Sequence, residues 1–171
     1  MTEHDSEFNA AIWWFWGAVF LSLFIGMLNV IDSFYALSMY MAYLSESINT
    51  DLYPEWYQLF KEIETAPYTF LLLNLYTMVI WSGVTLSALW LLRWNQWAYK
   101  SLRFLLSFDI IFTVVYLVYK AWTGSLTIGD RGLFILINVL QIVAILILSH
   151  PDVNALVSQK STQHKNKPSQ P

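Results

Sequence analysis

The chain has 171 residues, of which 57% are hydrophobic, 18% aromatic and only 12% charged, with a formal net charge of -3 and no cysteine. A typical soluble domain carries about 25% charge, so this composition and a mean hydropathy of +0.47 point to lipid as the solvent and away from a soluble enzyme. The small negative charge argues against nucleic acid as a partner, and the absence of cysteine removes disulfides, thiol redox chemistry, thiolate metal sites and cysteine lipidation.

The apolar residues fall in blocks of about 20, the length that crosses a bilayer. They predict an all-α fold, a four-transmembrane-helix bundle, with a short amphipathic helix in the first extramembrane loop. The predicted spans are residues 11–31, 68–92, 101–119 and 132–149. Together they form one membrane domain, 1–157, followed by a disordered basic tail, 158–171. The N-terminus carries Glu3, Asp5 and Glu7 without Lys or Arg, and its apolar run is long, so a cleaved signal peptide is not expected.

The first span opens on Trp13, Trp14 and Trp16, where an aromatic belt would meet the headgroups. Ala18, Ser22, Gly26, Asn29 and Ser33 follow at spacings of four, four, three and four. That spacing aligns small and polar side chains on one face, a seam along which another helix can approach closely. Asp32 reads as a carboxylate at the far end. Leu37, Met41, Leu44 and Ile48 keep the helical period, so the helix should run on past the bilayer.

Asn49 to Tyr53 reads as a turn, and Pro54 suits the first position of a new helix over residues 54–65. Its apolar face is Trp56, Leu59, Phe60 and Ile63. Its acidic character disfavours an anionic lipid surface, so packing on neighbouring helices is expected. Pro67 opens the second span, which holds Asn74, Thr77, Ser82 and Gly83 as interhelical contact residues.

Between the second and third spans, Arg93, Trp94, Trp97, Lys100 and Arg103 interleave cations with aromatics, the pattern of a hairpin at a membrane interface. The third span contains Asp109. Counted from the hairpin at ~1.5 Å per residue, Asp109 lies on the order of 10–15 Å into a ~30 Å core. A carboxylate there costs at least ~2.5 kcal/mol on insertion scales, so it should face protein or water. Thr113 and Tyr116 share its face, and Asn74, Asn138 and Gln141 are candidates to hydrogen-bond it from other helices.

Four spans place both termini and the hairpin on one side. That side has Arg93, Lys100, Arg103, Lys160, Lys165 and Lys167, against Lys61, Lys120 and Arg131 on the other. The positive-inside rule then assigns the termini to the cytoplasm.

His4, His150 and His164 lie away from the span centres, so neither haem nor zinc is expected, and no cofactor or metal is assigned. Phosphate-loop, dinucleotide, serine-hydrolase and zincin patterns are absent. His150-Pro151-Asp152 matches the tripeptide of J-domain cochaperones but lacks their flanking soluble hairpin; here Pro151 ends a helix and Asp152 is expected to cap the next, through Val157.

The segment Leu91-Leu92-Arg93-Trp94-Asn95-Gln96-Trp97-Ala98 resembles a hairpin of small uncharacterised bacterial four-helix inner-membrane proteins. Their last helix ends in a phrase similar to Ser149-His150-Pro151-Asp152-Val153. The likeness covers the C-terminal half, and Tyr99 stands where Arg is usual. It implies a bacterial inner-membrane setting and brings no activity or site residues with it. These features lead to a non-enzymatic accessory or scaffold protein whose partners are membrane lipids and other membrane proteins or further copies of itself. The alternatives are a proton- or ion-coupled transporter or channel subunit using Asp109, and a lipid- or quinone-binding membrane enzyme.

Overall fold

A computed structural model describes residues 3–45, 57–123 and 131–165. These residues form six α-helices and no strand: α1 (Glu3–Leu44), α2 (Tyr57–Thr65), α3 (Pro67–Leu91), α4 (Gln96–Trp122), α5 (Arg131–Ser149) and α6 (Pro151–Lys165). Among them, α3, α4 and the Ala10–Leu44 portion of α1 are each long and apolar enough to cross a membrane; Ile135–Ser149 with Pro151–Gln163 is a fourth if that pair, bent by 63°, counts as one span. The 42 residues of α1 extend on the order of 60 Å at 1.5 Å per residue, about twice the hydrocarbon thickness, so this helix outruns any bilayer it crosses.

The chain divides into two compact units, one comprising Met1–Ile25 and Gly83–Pro171, the other Gly26–Ser82. In the first, α4 buries Ala98, Tyr99, Leu102, Leu106 and Asp109, a single face at three- and four-residue spacing. Gln141, Ala144 and Leu148 supply the facing stripe of α5, and Val153, Leu156, Val157 and Ser161 that of α6. Both helices pack on α4 and on each other. The buried face of α1 in this unit is Ala11, Phe15, Ala18, Val19, Ser22 and Ile25. At Gly83 the α3 backbone comes close to α4: a Cβ there would lie 3.0 Å from Leu105 Cδ1, so the missing side chain makes room for a neighbour.

The second unit has its own core, in which Phe60 and Ile63 of α2 pack with Tyr40 of α1 and Phe70 of α3. Tyr40 stacks on Phe70 at 5.9 Å and Tyr43 on Phe60 at 6.0 Å between ring centres. The Tyr43 hydroxyl donates to Glu64 Oε1 at 3.2 Å. An amphipathic nine-residue helix is too short to persist alone; these rings give α2 a surface to fold against.

Three expectations need correction. The third helix begins at Gln96, not near 101, because Asn95 Oδ1 accepts from the amides of Trp97 at 2.9 Å and Ala98 at 3.4 Å and so caps it. The segment 158–165, read as tail, is helical: Ser161 continues the buried stripe of α6, and no proline intervenes before position 168. Asp152 lies in the first turn of α6 and does not cap it; the His150 carbonyl instead accepts from Asn154 N at 3.1 Å, with Pro151 as the first helical residue. The expected turn at 49–53, the helix start at 54–56 and the tail at 166–171 lie outside the described residues.

Candidate functional site

The first unit holds the one buried carboxylate among the described residues. Asp109 is 7% exposed on α4, and Gln141 of α5 is 1% exposed opposite it. Gln141 Nε2 donates both of its hydrogens across the helix interface, to Asp109 Oδ2 at 3.1 Å and to the carbonyl oxygen of Leu106, also at 3.1 Å. The Leu106 carbonyl can accept because an oxygen engaged in a helix still has a second lone pair. The amide orientation follows from this geometry, since rotating it would set Oε1 against two acceptors. Gln141 Oε1 is buried with no hydrogen-bond partner among the described residues. Chemically, the arrangement is a polar clamp joining α4 to α5 at one point on both helices.

Asn138 is half-buried on α5, three residues before Gln141. Asn74 belongs to the second unit, and its Nδ2 donates to Phe70 O at 2.9 Å within its own helix. In the predicted seam, Ala18, Ser22 and Gly26 are buried and Asn29 is half-buried; the Ser22 hydroxyl returns to Ala18 O at 2.8 Å. The Ser22 hydroxyl is thus satisfied within its own helix, and Phe15 and Val19, both 0% exposed, are buried on the same stretch of α1.

The hairpin is shorter than the pattern implied, with only Leu92 to Asn95 between α3 and α4. Trp94 takes a left-handed backbone, φ 54°, and its amide donates to Leu91 O at 2.9 Å, closing the C-terminus of α3. Glycine usually fills such a position. Here the tryptophan ring stacks on Phe15 at 4.7 Å and meets Trp16 edge-on at 5.6 Å, which offsets the strain. Lys100 and Arg103 lie on the first turns of α4, over the rings of Trp97 at 5.8 Å and Tyr99 at 5.6 Å. Arg93 and Trp97 are exposed.

Reading residue types alone misses the bond from the Tyr99 hydroxyl to the Leu148 carbonyl. In a continuous helix that carbonyl would accept from residue 152; the bend at Pro151 leaves it among the unsatisfied carbonyls of a helix end, and the phenol supplies the donor. Nothing in the sequence gives its partner.

Among the described residues no group of three or more His, Asp or Glu side chains could hold a metal ion. No family model, curated protein or solved structure matches the chain.

Proposed function

We propose that this chain is a non-enzymatic integral membrane protein, an accessory or scaffold subunit that crosses a bacterial inner membrane four times with both termini in the cytoplasm. The observation that carries the reading is the Asp109–Gln141–Leu106 clamp. The one buried carboxylate among the described residues is used to join two helices, whereas a transport path needs a succession of ionisable groups. Support also comes from the uncovered apolar surface. Only 11% of the most apolar window of α3 and 17% of that of α4 are buried, which leaves long faces for lipid and for partner helices.

Reconstituted vesicles test the reading. Asp109→Asn keeps the shape and hydrogen bonding of the side chain, so assembly and any measured proton flux should be unchanged. Loss of a pH-driven flux in that variant, with assembly intact, would overturn the accessory role in favour of a proton- or ion-coupled subunit. Gln141 Oε1 is the observation that favours this second reading, because a buried acceptor with no partner among the described residues is a position that a water molecule on a proton path could fill.

A further inference from the structure

The first unit contains a cavity of about 420 Å³ between the start of α1 and the bend joining α5 to α6. Ala10, Trp14, Ile147 and Val153 supply its apolar wall, and His150 and Asp152 its polar rim. The volume falls in the ordinary range for ligand pockets. Its level is fixed by two contacts. Phe15 stacks on Trp94 of the hairpin turn, and Tyr99 at the start of α4 bonds Leu148 at the end of α5. Trp14, the hairpin and His150 thus share one end of the unit, the end that cations and exposed tryptophans mark as a lipid–water boundary.

We infer that this cavity binds a single zwitterionic phospholipid with a primary ammonium headgroup, a phosphatidylethanolamine, its acyl chain along Trp14 and Ile147 and its headgroup on His150 and Asp152. Charge complementarity selects this occupant. His150 Nδ1 lies 3.3 Å from Asp152 Oδ2, with the two side chains 60% and 64% exposed. The Asp152 carboxylate is the acceptor for the lipid ammonium through Oδ1, and His150 supplies a polar ring beside it for the phosphate end. Helix geometry supports the carboxylate, since an anion is favoured in the first turn of α6, where Asp152 stands. Phosphatidylglycerol brings no positive charge to the Asp152 carboxylate, and a trimethylated ammonium has no hydrogen to donate to it.

The inference rests on the membrane reading but not on the accessory role. The test is native mass spectrometry of the full chain in mild detergent, with phosphatidylethanolamine, phosphatidylcholine and phosphatidylglycerol of identical acyl chains added in turn. One phosphatidylethanolamine should be retained about tenfold more tightly than either of the others. Asp152→Asn and His150→Gln should each reduce that preference to about twofold or less, and Ile147→Trp should weaken all three lipids by filling the cavity. Equal retention of the three headgroups by the unaltered chain would overturn the site, as would a preference that survives both rim substitutions, or a quinone recovered in the cavity. The unaltered chain decides the question even if a variant fails to fold. A chain recovered without lipid from the aqueous fraction would instead overturn the membrane reading itself.

Discussion

A buried carboxylate is tolerated when its partners are in place and costly when one is removed, so Gln141 is more sensitive to change than Asp109. Gln141→Leu leaves Asp109 Oδ2 and the Leu106 carbonyl without their shared donor, and should lower stability by about 1–2 kcal/mol. The double variant Asp109→Leu with Gln141→Leu removes both polar groups together and should be more stable than Gln141→Leu alone; unfolding by a graded denaturing detergent measures the difference. Trp94 allows a second comparison. Trp94→Ala loses the contacts with Phe15 and Trp16 and keeps the left-handed strain, whereas Trp94→Gly loses the same contacts and relieves the strain, so the alanine variant should be the less stable by about 1 kcal/mol. Asp109 was legible from its depth in an apolar run and Gln141 from its place on the next one. The bond between them was not, because which helices meet is decided by packing outside any local window.

At the scale of elements, helix ends explain most of what the sequence did and did not disclose. Asn95 is a strong capping residue, yet the cations after it read as hairpin, so α4 appeared to start later than Gln96. The stripe Val153, Leu156, Val157 and Ser161 has helical spacing, but its polar surroundings gave α6 the composition of a tail. Tyr99→Phe should cost about 1 kcal/mol by leaving the Leu148 carbonyl without its donor, and faster amide exchange around the α5–α6 bend would register the loss. In the second unit, Phe60→Ala removes a ring that is 3% exposed and should cost about 3 kcal/mol. The readout is proteolysis: α2 should become cleavable while α4 and α5 stay protected, and equal protection of α2 would mean that the rings of Tyr40 and Phe70 do not hold it.

For the whole molecule, composition disclosed the class and the apolar blocks disclosed the candidate spans, because hydropathy needs only counting. The bend of 63° between α5 and α6 was half-legible: Pro151 announced a break, but the direction of the chain beyond it depends on where the stripe of α6 finds cover. The absence of native cysteine makes the chain a ready background for single-cysteine labelling. On the orientation proposed here, cysteines introduced at Ser101 and Gln159 should react with an impermeant thiol reagent from the cytoplasmic side alone. The measurement that bears most directly on the account is the mass of the intact particle extracted from its native membrane in mild detergent. An accessory subunit predicts this chain at a fixed ratio with another membrane protein, unchanged by Asp109→Asn. A particle containing this chain alone, with lipid and no second protein, would contradict it.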